Sequence, residues 1–177
     1  MMVEWSGILP LVPFLLIRFG LLAALNPEAV RRAAHFAPLR GRERIAYWFY
    51  QVSNLGIFLA LPFLMVKMDA SWPFYAGAGC YLLGLVLCAV AIVSFSSPNS
   101  EGLNVNGIYR FSRNPMYVAY FVCFTGMALL TRSWMLMGII AVFQISAHWI
   151  ILSEERWCVE RFGEEYARYM RDVRRYI

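Results

Sequence analysis

Apolar residues run almost unbroken over five stretches, about 5–25, 45–66, 72–95, 115–130 and 134–152, and polar positions collect between them. A stretch of about 20 apolar residues is long enough to cross the hydrocarbon core of a bilayer as a helix. The pattern predicts an all-α fold: a polytopic membrane helix bundle of about five transmembrane helices, forming a single domain over residues 1–177. Only Thr131, Arg132 and Ser133 separate the last two stretches, so a tight helical hairpin is expected there. Residues 153–177 follow as a tail in which Trp157, Phe162, Tyr166, Tyr169 and Val173 make an apolar stripe against an arginine-rich face, interrupted at Gly163. Such a segment is expected to lie on lipid headgroups as a cytoplasmic amphipathic helix. In the third stretch Cys80 and Gly84, with Gly77 and Gly79 nearby, allow close helix approach. Gly77-Ala78-Gly79 lacks the preceding strand and third glycine of a dinucleotide turn, so it reads as packing.

Composition excludes an ordinary soluble domain. Hydrophobic residues make up 60% of the chain and charged ones 15%, against about 45–50% and about 25% in soluble proteins. The formal net charge of +5 does not indicate nucleic acid, because the cations sit in loops between apolar runs. Thirteen arginines follow the first, third and fifth stretches, whereas Lys67 and Arg132 alone mark the other face. The bias predicts an N-terminus outside and a cytoplasmic C-terminus. The first stretch lacks a basic leader and a small-residue cleavage site, so it is expected to remain as a span. Cys80, Cys88, Cys123 and Cys158 form no C-x-x-C pair and have no histidines at ligand spacing, so neither a disulfide framework nor a metal site is expected. Arg18 interrupts the first stretch about eight residues from its cytoplasmic end. Two readings fit it: snorkelling or a structural pair, and lining of a polar cavity.

Asn114-Pro115 reads as a helix start, with asparagine as N-cap and proline at the first helical position. The exposed N–H groups there can receive a carboxylate, and Arg113 adds a charge that suits either a ligand or a lipid phosphate. Two helices of about 17 residues each travel about 25 Å, so the hairpin returns Glu154 and Glu155 to the level of Arg113. On the returning helix His148, Leu152, Glu155 and Val159 share a face, and Glu154 is rotated from it by about 100°. The two carboxylates therefore do different work. His148 is placed to donate to a ligand, or to be satisfied within the core.

LNVNGIYRFSRNPMYVAY, starting at Leu103, resembles the L-x-T-x-G-x-Y-x-x-x-R-H-P-x-Y-x-G signature of the isoprenylcysteine carboxyl methyltransferase and phospholipid methyltransferase superfamily. EERWCVERFGEEYARYM, starting at Glu154, resembles its second signature, a glutamate pair followed by F-G-x-x-Y-x-x-Y. The resemblance covers about the last 75 residues. It implies a membrane enzyme using S-adenosylmethionine, with the cofactor between the two motifs. Gly107, Tyr109, Arg113, Asn114, Pro115 and Tyr117 are then expected on one wall and Glu154 and Glu155 on the other; His148, from its place on the same helix face as Glu155, is a further cofactor-binding candidate. Arg113 and Glu155 are the catalytic candidates, and no metal is expected. The sequence departs from the pattern at Asn114, where histidine is usual; asparagine cannot titrate near neutrality, so proton acceptance there is not expected. Ala119 replaces a frequent glycine.

The expected reaction is methyl transfer to a lipid-like or small apolar acceptor bearing a carboxylate or thiol. A phospholipid amine is the alternative acceptor. A nicotinamide-dependent membrane reductase and a non-catalytic membrane scaffold are the other classes weighed; membrane lipids are the expected surroundings.

Overall fold

The structure, a computed structural model, describes residues 3–177 and is predominantly helical. Helix α1 spans Ile8–Leu25, with its middle, Leu16–Leu21, wound as a π-helix around Arg18. Asn26 ends it in extended backbone, and its side-chain oxygen accepts from the Glu28 and Ala29 N–H groups at 3.0 and 3.2 Å. With Pro27 at the first position this starts α2, Pro27–Ala33. The Asn26 amide also donates to the Ser96 carbonyl at 2.9 Å, fixing the corner to a distant helix end.

Helix α3 covers Glu43–Ala60, and a 3₁₀ turn follows at Leu61–Phe63. The helix that the apolar stretch predicts through residue 66 does not continue that far. Pro62 lacks the N–H a helix would need, and the chain leaves as strand β2, Met65–Met68. This strand pairs antiparallel with β1, Val3–Ser6, placing Trp5 opposite Val66. The start of the first apolar stretch is thus extended rather than helical.

Helix α4, Trp72–Ser96, packs antiparallel on α5, Pro115–Thr131. Gly84 lies against the Cys123 backbone so closely that a Cβ there would stand 2.5 Å from Cys123 Cα. Gly126 meets Tyr81 in the same way, with 2.4 Å between a built Cβ and the Tyr81 nitrogen. Gly79 faces open space. Gly84→Leu is therefore expected to force the pair apart at a cost of at least about 1–3 kcal/mol. Gly79→Leu should leave stability unchanged; thermal unfolding of the two variants in one detergent checks the contrast.

The expected hairpin is present. Arg132 takes a left-handed conformation (φ 50°), and the Ser133 hydroxyl accepts from the Leu136 N–H at 3.1 Å to start α6, Trp134–Phe162. Its 29 residues reach about 44 Å at 1.5 Å each, more than the hydrocarbon thickness of about 30 Å. The last crossing and the start of the tail are one continuous helix. Gly163 (φ 54°) breaks it, and α7 follows over Glu164–Asp172.

Helices α1, α4 and α6 are long and apolar enough to cross a membrane, and α5 is a shorter apolar helix. Large apolar side chains such as Leu55, Leu82, Val86 and Ile145 point outward and are more than half exposed. A surface of that kind suits lipid, and the protein is a membrane protein. Inside, Phe14, Tyr50, Phe124 and Phe143 join α1, α3, α5 and α6 through ring contacts of 4.9 to 5.7 Å.

Candidate active site

A cavity of about 780 Å³ opens among α1, α3, α5, α6 and the loops at the Arg113 end of the bundle. That is within the range of small-molecule sites, about 300–1,000 Å³. Phe14, Tyr50, Phe58, Phe124 and Phe143 line one part of it, and Arg31, Arg32, Asn104 and Arg161 another. Tyr109, Arg113, Asn114, Tyr117, Glu154 and Glu155 all line it as well. The hairpin has therefore brought the arginine turn and the acid pair to one cavity.

The two glutamates sit in contrasting surroundings. Glu155 is 4% exposed and lies between two guanidinium groups. Arg113 Nε and Nη2 reach its Oε1 at 3.0 and 2.9 Å, and Arg175 Nη2 reaches its Oε2 at 2.8 Å. Arg113 Nη1 donates to the Met170 and Val173 carbonyls at 2.8 and 2.7 Å, and the Arg113 N–H donates to the Arg174 carbonyl at 3.0 Å. The pairing with Glu155 holds Arg175 more firmly protonated. The expected catalytic pair, Arg113 and Glu155, is thus engaged with itself and with the C-terminal segment.

Glu154 accepts one hydrogen bond, from the Tyr117 hydroxyl at 3.0 Å, and has no ion-pair partner among the described residues. It is the carboxylate of this cavity without a cation on it. A single residue step, a rotation of about 100° on the helix, separates their roles.

Asn114 precedes α5 as expected, and Pro115 opens the helix. The expected side-chain cap is absent, however. The Asn114 amide donates instead to the Arg175 carbonyl at 3.1 Å and to Glu155 at 3.4 Å. The two bonds made by its NH₂ group fix the plane of the amide toward the tail, and its Oδ1, the atom that would accept from the helix N–H groups, makes no capping bond.

Other expected contacts are placed elsewhere. His148 is outside the cavity lining, with Nδ1 2.6 Å from the Tyr176 hydroxyl. Gly107 holds a positive φ of 60° where a Cβ would meet Ser94 Oγ at 2.3 Å, so it seats the turn on α4. Pro115 is buried and acts on the helix start. Tyr109 is fixed through its carbonyl, which accepts from the Tyr169 hydroxyl at 2.6 Å. Burial keeps that hydroxyl protonated well beyond the ordinary range for tyrosine. Farther along α6, Arg156 grips Glu43 at 2.5 and 2.8 Å, and this hydrogen-bonded cation holds the Glu43 carboxyl below its usual range.

Several lining residues had no motif to announce them. Gln51 and Asn54 on α3 line the cavity, and their polarity inside an apolar stretch was the available signal. Arg31 and Arg32 also line it, although their sequence position indicates only the cytoplasmic loop. Arg18 reaches it too, which supports the cavity reading over snorkelling.

Among the described residues no cluster of histidine, cysteine and carboxylate side chains is arranged for a metal. No curated protein and no solved structure matches the chain significantly. A family model does: residues 89–165, which include the arginine turn, the hairpin and the glutamate pair, match the phospholipid methyltransferase family, bearing out the resemblance to the isoprenylcysteine carboxyl methyltransferase and phospholipid methyltransferase superfamily.

Proposed function

We propose that this protein is an integral membrane methyltransferase that moves the methyl group of S-adenosylmethionine to a lipid-like or small apolar acceptor carrying a carboxylate or thiol. The observation that supports it best is a single cavity combining the residues of both motifs with an aromatic interior. In this reading the chain crosses the bilayer five times, with the N-terminus outside and the cavity mouth cytoplasmic, in keeping with the arginine bias.

The residues present suit the cofactor's chemistry. Glu154 offers a carboxylate for an ammonium group, Asn104 Oδ1 and Arg32 Nε are buried without hydrogen-bond partners among the described residues, and Arg31 and Arg161 offer charge to a carboxylate. Tyr109, Tyr117 and Trp157 supply aromatic surface. When bound, the cofactor supplies a sulfonium methyl whose transfer leaves a neutral thioether, so no acid is needed for departure. The chain's own work is orientation and exclusion of water. The Tyr117–Glu154 hydrogen bond fixes one end of the site, and the tail held by Arg113, Asn114 and Glu155 covers the motif end. A dry, positioned pair of reactants favours a step in which opposite charges merge.

A second reading, N-methylation of a phospholipid amine, is favoured by the family match and by the unpaired Glu154, which is a candidate base for the amine proton. Incubating the purified protein with methyl-labelled S-adenosylmethionine and a total lipid extract is expected to label an ester or thioether of an apolar compound. Label in a phospholipid headgroup establishes the second reading, and absence of label with intact protein refutes both.

A further inference from the structure

We infer that Arg18 is the anion-receiving group for the methyl acceptor, so that the acceptor is an amphiphile with one oxyanion, a carboxylate or phosphate, on an apolar body. The inference deepens the methyltransferase reading and rests on it. Arg18 lies in α1, outside the family-matched residues 89–165. A cation within a membrane-crossing helix costs on the order of 3 kcal/mol unless something compensates it. Its protein surroundings are aromatic: the guanidinium carbon is 5.2 Å from the Phe19 ring centroid and 5.8 Å from that of Tyr120. Among the described residues Arg18 has no carboxylate within ion-pair distance, in contrast to Arg113 and Arg175 in the same region.

The backbone is adapted to this placement. Leu16–Leu21 is π-helical, and a π segment re-aims side chains within a helix and recurs at functional sites. Arg18 lines the cavity together with the aromatic group Phe14, Phe58, Phe124 and Phe143. A guanidinium fork beside an apolar compartment matches an oxyanion joined to a hydrocarbon. From Arg18 the wall continues through Tyr120 to Tyr117, ring centroids 6.3 Å apart, and on to Glu154. Along this tyrosine wall a positive anchor, Arg18, and a negative one, Glu154, are set apart, an arrangement that gives the acceptor's acid and a cationic group of the methyl donor different places.

The test is calorimetric titration of the full-length protein in a neutral detergent with octanoate, octyl phosphate, inorganic phosphate and methyl octanoate. Either amphiphilic anion is expected to bind at least about tenfold more tightly than methyl octanoate or inorganic phosphate. Arg18→Gln should weaken that anion by about 10- to 100-fold, the worth of hydrogen bonds to a charged group, with methyl octanoate unchanged. Arg18→Lys should restore part of the loss. Equal binding of acid and ester by the unaltered protein overturns the inference without any variant, and so does unchanged anion affinity in folded Arg18→Gln. Parallel titration with S-adenosylmethionine separates the two levels. Arg18-dependent anion binding without cofactor binding defeats the methyltransferase reading alone, whereas loss of cofactor affinity in Arg18→Gln with anion binding intact assigns Arg18 to the cofactor and overturns the inference.

Discussion

Glu155→Ala is expected to detach the C-terminal segment and to cost about 3–5 kcal/mol of stability, as removal of one partner from a buried ion pair does. The carboxylate is the centre of the knot: Arg113, Arg175 and Asn114 all donate to it. Without it two guanidinium groups are left facing each other, one with a side chain only 7% exposed. Arg113 would then lose its orientation toward the Met170 and Val173 carbonyls, which hold the tail against the start of α5. Amide exchange over residues 165–177 and thermal unfolding in detergent are the measurements. Faster exchange confined to the tail, with a lowered midpoint, is the expected result. Unchanged exchange and midpoint together with collapsed methyl transfer would make Glu155 a catalytic group in its own right.

Glu154→Gln is expected to do the reverse: to leave the fold intact and weaken S-adenosylmethionine by about 10- to 100-fold, the worth of a charge-assisted hydrogen bond. Glutamine preserves the size of the side chain and can still accept from the Tyr117 hydroxyl, so the local hydrogen bond at 3.0 Å survives. What disappears is the one carboxylate in the cavity without a cation on it. Calorimetric titration of the folded variant gives the answer, and full affinity would remove Glu154 from the cofactor site. Tyr117→Phe offers a graded companion, since it frees Glu154 without removing its charge. Adjacent in sequence, the two glutamates thus yield opposite outcomes, one in stability and the other in binding.

The features legible in the sequence are those that neighbouring residues dictate. Pro115 opens α5 because proline suits a first helical turn, Thr131–Ser133 makes the hairpin because it is too short for anything else, and Gly163 breaks α6 because it takes a positive φ. The apolar runs announce a membrane bundle, and two local motifs announce the resemblance that the family match over residues 89–165 bears out.

Only the tertiary structure decided the rest. Asn114 has the local character of a cap, yet its amide serves a carbonyl 61 residues away. His148 shares a helix face with Glu155 but turns to Tyr176, 28 residues along the chain. Pro62 and the N-terminal residues replaced two helix ends by a β-ribbon, a pairing of segments some 60 residues apart. Which glutamate is neutralised, and whether Arg18 meets lipid or a cavity, likewise depend on groups brought together from remote positions. Helical propensity and hydrophobic period act over a few residues, whereas the partner of a charged side chain is chosen by folding.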